Sequence, residues 1–175
     1  TRAEQFQSVA SSNLQGVIGR VSYPILSAIQ DDTQKLKEAY KKILKSTMLI
    51  TFVLMLGMAA IAKPMILTLI GDKWEPCVIY LQLLCFVGMS YPLHALNLNI
   101  LYVKGRSDFA LRIEIIKKAM CIPIIVIAIM WGIKAMIISM ILFSVLAYFI
   151  NSYWSAYLID YSSPAQIKDI FPSFL

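Results

Sequence analysis

Residues 76–103 contain no Asp, Glu, Lys or Arg, and neither do residues 135–159, charge-free runs of 28 and 25 positions. A hydrocarbon core about 30 Å thick is crossed by about 20 apolar residues of helix. Soluble domains have little use for such runs, so the chain reads as part of a polytopic, all-α integral membrane protein with the bilayer as its solvent. Composition agrees: 15% of the residues are charged, against about 25% in ordinary soluble domains.

Five spans are expected. The first covers about 5–29. Leu14, Val17, Ile18, Val21 and Ile25 recur there at helical spacing, while Asn13, Gly16, Arg20 and several serines occupy the rest of its circumference. One side of this helix suits lipid or another helix, and the other suits a protein interior or water. Asp31-Asp32-Thr33 reads as a turn and N-cap. A basic amphipathic lead-in follows, with Leu36, Tyr40, Ile43 and Leu44 on one face. It runs into a second span over about 44–70, apolar from Ser46 and interrupted by Lys63-Pro64. The third span covers 77–103, with Pro92 in its middle. The fourth covers about 109–133, with Arg112 and Glu114 placed at the interface. Trp131-Gly132-Ile133-Lys134 turns the chain into the fifth, 135–159, and a short polar tail occupies 160–175.

Loop charges orient such a protein. Lys35, Lys37, Lys41, Lys42 and Lys45 precede the second span. Lys104, Arg106, Arg112, Lys117 and Lys118 precede the fourth, and Lys168 lies in the tail. These eleven fall on one side; Arg2, Lys73, Lys134 and, near a span end, Lys63 fall on the other. The basic side, with the C-terminus, is therefore expected in the cytoplasm. Positive charge placed this way reports membrane topology, so no nucleic-acid partner is inferred from the net charge of +6. Cys77, Cys85 and Cys121 are far apart, and His94 is the one histidine. No converging set of metal ligands is offered, and no cofactor is expected.

Tyr23-Pro24-Ile25-Leu26-Ser27 followed by Gln30-Asp31-Asp32 resembles the signature of bacterial polysaccharide flippases. So do Gly71-Asp72-Lys73-Trp74 before Leu81-Gln82-Leu83-Leu84-Cys85, and Tyr91-Pro92-Leu93-His94-Ala95-Leu96-Asn97-Leu98-Asn99 before Lys104-Gly105-Arg106-Ser107-Asp108. The pattern is similar to the Wzx-type O-antigen and exopolysaccharide translocases of the multidrug/oligosaccharidyl-lipid/polysaccharide exporter superfamily, over nearly the whole chain up to about residue 160. The resemblance implies a protein of roughly a dozen helices in two lobes that enclose a cavity and rock between inward- and outward-open states. Its cargo would be an undecaprenyl-pyrophosphate-linked oligosaccharide, moved from the cytoplasmic to the periplasmic leaflet. This chain would supply five helices of the C-terminal lobe, with the N-terminal lobe as its partner.

Arg20 is the one full charge well inside an apolar stretch, and such charges are functional by default. Its planar fork suits phosphate oxygens; the competing role is a structural tie. Asn13 and Gly16 share its face, as cavity wall or as close-packing positions. Ser90, His94 and Asn97 share one face of the third span. They read either as a cavity wall with a proton-relaying histidine or as interhelical hydrogen bonds beside a kink. Two other functions compete with the flippase. A membrane-embedded repeat-unit polymerase would need catalytic residues on outer loops, which here are only a few residues long. A cation-coupled drug exporter would favour acidic residues well inside the spans.

Overall fold

The computed structural model describes residues 18–170, apart from the side chains of 127–129, 133, 134 and 163. Asn13, Gly16, the start of the first expected span and the last five residues lie outside the described residues. Among the described residues every regular element is helical.

Residues 18–27 form α1. Ile18, Ser22 and Leu26 are its buried positions, whereas Val21 and Ile25 are exposed. The packed face therefore includes a serine and omits two of the three described members of the apolar stripe. A turn then leads to Asp32, whose carboxylate accepts the Lys35 N–H at 3.0 Å and caps α2, Thr33–Ala60. Satisfying an orphan N–H is what favours Asp at this position. Leu36, Tyr40, Leu44, Met48 and Phe52 bury one continuous stripe at a spacing of four. Past Ser46 the opposite face is also apolar, with Leu49, Ile50, Val53 and Leu54 exposed, as a lipid-facing surface requires. The basic lead-in and the span are one unbroken helix of 28 residues.

α2 stops at Ala60, the carbonyl that the ring of Pro64 would strike if the helix continued. α3, Ala62–Leu69, carries the chain on to Gly71 at φ 99°, which turns it. The third span is two helices, α4 (Cys77–Met89) and α5 (Tyr91–Val103), broken at Ser90. Pro92 lacks the N–H that would have reached Gly88.

After Gly105 at φ 67° the chain enters α6, Ser107–Ile159, which breaks at Gly132 with φ 86° and ψ −179°. Across 45 residues of straight helix, Phe109 and Trp154 would stand about 68 Å apart. Their rings instead stack with centroids 4.5 Å apart, and Leu101, Ala110 and Ile113 bury beside Ile150, Trp154 and Leu158. Gly132 thus reverses the chain, and α6 is two antiparallel limbs. The polar tail after Asp160 is structured: α7, Ser163–Ile170, has Pro164 in its first turn and packs against α2 and the second limb.

Thr33–Ala60, Cys77–Val103 and Ala135–Ile159 are each long and apolar enough to cross a membrane. The basic turns gather at one end, where the Lys104 ammonium donates to the Gln30 carbonyl at 2.7 Å and that of Lys37 to the Asp160 carbonyl at 2.5 Å. Gly71 and Gly132 mark the opposite end.

Candidate functional site: a polar ladder beside an apolar groove

Ser90, His94 and Asn97 lie fourteen, ten and seven residues before Lys104. At 1.5 Å per residue they stand about 21, 15 and 10 Å from the basic end, on one side of α5. The structure brings all three together with groups from α2 and the second limb of α6.

Asn97 is fully buried. Its Oδ1 accepts from the Tyr40 hydroxyl at 2.9 Å and from Ser155 Oγ at 2.5 Å, and its Nδ2 donates to the Leu93 carbonyl at 2.9 Å. One amide thereby joins α2, α5 and α6. At the next level the Asn151 Nδ2 donates to His94 Nδ1 at 3.1 Å. That leaves the ring proton on Nε2, which donates to Ser144 Oγ at 3.2 Å. Ser144 and Ser90 share a 2.5 Å hydrogen bond, and Ser90 donates to the Val87 carbonyl at 2.7 Å. His94 is bound on both nitrogens by neutral groups, the pattern of an interhelical tie. Asn151 Oδ1 is buried without a partner, the loose end of this network.

Lys117 lies ten residues past Ser107, at the same depth as His94, about 15 Å. It is ion-paired with Glu114, and its side chain is only 14% exposed. From the sequence, Glu114 belongs to the interface and Lys117 to the topology signal; the structure turns Lys117 inward and pairs it with Glu114, which stays partly exposed.

Next to this ladder is an apolar groove of about 450 Å³ between α2, the α4–α5 junction and the second limb of α6. Phe52 and Tyr148 line it with Ser90 and Ser144, and Ile167 and Ile170 of α7 form one wall.

Arg20 stands apart from the ladder. It lies two residues, about 200°, around α1 from Ile18, and it is exposed on the side away from the packed face. On that packed face Ser22 accepts from Asn99 Nδ2 at 2.8 Å and donates to the Ile18 carbonyl at 2.6 Å. Among the described residues, no helix encloses the guanidinium.

Sequence reasoning missed Tyr40, Ser144, Asn151 and Ser155 as partners, and the Glu114–Lys117 pair. The available signal was spacing. Ser144, Asn151 and Ser155 recur seven and four apart, one helical face, inside a charge-free run.

A family model described as "Polysaccharide biosynthesis protein" matches residues 1–79. The lipopolysaccharide biosynthesis protein WzxC of Escherichia coli (strain K12) is 33% identical over 119 residues, which is 68% of this chain and 24% of that protein. A membrane protein of the cps region of Klebsiella pneumoniae is 31% identical over 121 residues, 69% of this chain and 25% of that protein. The teichuronic acid biosynthesis protein TuaB of Bacillus subtilis (strain 168) is 27% identical over 108 residues, 62% of this chain and 22% of that protein. The chain spans about a quarter of the length of these relatives. No solved structure matches it. By these likenesses the chain belongs to the membrane-embedded polysaccharide biosynthesis proteins of the Wzx-type family.

Proposed function

We propose that this chain is the C-terminal-lobe part of a flippase that carries undecaprenyl-pyrophosphate-linked oligosaccharide repeat units across the bacterial inner membrane by alternating access, without making or breaking a covalent bond. Five spans in this lobe would face an N-terminal lobe of similar design, with the basic end and the C-terminus in the cytoplasm. The observation that carries this reading is the exposed Arg20 on a helix whose other face is packed. A guanidinium within an apolar stretch needs water, a counter-charge or a cavity. The ladder, by contrast, uses its polar groups on one another and holds the lobe together. Arg20 would attract the pyrophosphate, with Asn13 and Gly16 on the same face of the helix. The carboxylate of Glu114 is occupied by Lys117, which leaves it a poor cation site and weighs against a cation-coupled drug exporter.

The test is complementation by the full-length protein in a strain lacking its flippase. Arg20→Ala is expected to abolish surface polysaccharide while the protein stays in the membrane, and Arg20→Lys to rescue in part, because a point charge replaces a bidentate fork. Normal polymer export by Arg20→Ala would refute the cavity role.

A further inference from the structure

α7 is held by an unusually complete set of contacts for an eight-residue helix at the end of a bundle. The Asp169 carboxylate is the centre. Lys45 reaches its Oδ1 at 3.0 Å, Lys41 reaches its Oδ2 at 3.6 Å, and the Tyr161 hydroxyl donates to Oδ2 at 2.7 Å. Lys41 also stands over the Tyr161 ring, 4.7 Å from its centroid, a cation–π contact. The Tyr161 ring meets Tyr40 edge-on at 6.0 Å, and Tyr40 is bonded to Asn97. Gln166 is buried and donates to the Tyr161 carbonyl at 3.2 Å. Ile170 is buried on α2 and lines the groove together with Ile167.

These contacts divide into two kinds. The isoleucines are non-directional and would rest on any apolar wall. The Asp169 set is directional, charged and at the surface, so it is the part that water, salt or protonation can undo. We propose that α7 is an electrostatic clasp: Asp169, held by Lys41, Lys45 and Tyr161, keeps the helix docked across the groove between α2 and the second limb of α6, and its release opens that groove from the basic end. The inference rests on the proposed function only in placing that end in the cytoplasm. The path Asp169–Tyr161–Tyr40–Asn97 gives the clasp a connected route to the first rung of the ladder. The carboxyl of Asp169 is held below the usual carboxylate range, chiefly by the Tyr161 hydroxyl and then by Lys45, so it is ionised and available to both lysines at neutral pH.

The experiment uses the full-length protein in lipid nanodiscs, with Cys77, Cys85 and Cys121 replaced by alanine. Two readouts are taken: amide hydrogen exchange across 163–170, and the rate at which Ser144→Cys reacts with a small maleimide. Asp169→Ala is expected to speed α7 exchange about tenfold, the effect of losing one charge-assisted hydrogen-bond set, and to speed the labelling in step. The reversed pair Lys45→Asp with Asp169→Lys should restore slow exchange and slow labelling, whereas Lys45→Asp alone should not. Unchanged exchange in Asp169→Ala would overturn the clasp. Faster exchange with unchanged labelling would overturn its role in closing the groove. Neither readout requires transport, so failure of the clasp and failure of the flippase reading are told apart.

Discussion

Tyr40 and Asn97, 57 positions apart, share a buried 2.9 Å hydrogen bond whose acceptor oxygen also takes the Ser155 hydroxyl. Removing that acceptor orphans the buried Tyr40 hydroxyl and frees the Leu93 carbonyl, while Ser155 keeps the Ser152 carbonyl at 3.2 Å. Asn97→Leu is therefore expected to destabilise the folded protein by about 2–4 kcal/mol, whereas Tyr40→Phe, which removes one donor and keeps the packed ring, should cost about 1 kcal/mol. Thermal unfolding in detergent, followed by tryptophan fluorescence, measures both. Equal costs would mean that the Tyr40 hydroxyl finds another acceptor once Asn97 is gone.

The Glu114–Lys117 pair carries the next expectation. Removing one member of a partly buried ion pair leaves the other uncompensated, while removing both can be nearly neutral. Lys117→Met should lower stability by about 1–2 kcal/mol, a figure reduced for the 39% exposure of Glu114. Lys117→Met combined with Glu114→Gln should recover most of that loss. A double variant less stable than Lys117→Met would show that Glu114 has a role of its own beside His94.

Gly132 has φ 86° and ψ −179°, and a Cβ there would meet nothing within 4 Å. The cost of a side chain at this position is therefore backbone strain alone. That region of φ and ψ is essentially restricted to glycine, and occupying it costs about 1–3 kcal/mol. Gly132→Ala is expected to destabilise by that amount without changing helix content by circular dichroism. A fully wild-type melting temperature would mean that the reversal tolerates another backbone conformation.

Acid should loosen the clasp. Asp169 has a lowered folded-state pKa, so the stability it contributes is fully present above the unfolded carboxylate value of about 4 and is lost as pH falls through the lowered one. Lys41, Lys45 and Tyr161 are the groups that face it. The α2–α7 distance, measured by electron spin resonance between nitroxides on the two helices, should lengthen only below that range. Asp169→Asn should give a lengthened distance that does not vary with pH.

Much of the fold can be read from residue types alone. The charge-free runs mark two of the three apolar spans, and Pro64 and Pro92 mark the breaks at Ile61 and Ser90, because each removes a bond to a known carbonyl. Ser90, His94 and Asn97 could be grouped by spacing, since one helix face is a local property. Their partners could not. Tyr40 sits within a regular apolar stripe, and nothing in its surroundings shows that its hydroxyl reaches another helix. Lys117 is indistinguishable from Lys118 in sequence, yet 100° of helical rotation turns one inward and the other out. α7 escapes notice for a related reason: Ile167 and Ile170 are too few to reveal an amphipathic face until α2 supplies the opposite wall.

The proposed orientation rests on the split of basic residues between the two ends. The turn at Gly105 lies at the end where Lys104 and Lys37 make their carbonyl contacts, and Asp72 lies at the other, beside the exposed pair formed by Lys63 and Glu75 at 3.0 Å. Positive residues in short loops are retained in the cytoplasm. In intact cells carrying the full-length protein with its native cysteines replaced, Ser107→Cys should be shielded from a membrane-impermeant maleimide until the cells are opened, whereas Asp72→Cys should react at once. Replacement of the native thiols matters because Cys77 is partly exposed near the Asp72 end. The reverse labelling pattern would invert the chain in the membrane. It would also move the α7 clasp to the periplasmic side, where cytoplasmic access to the groove could not be its role.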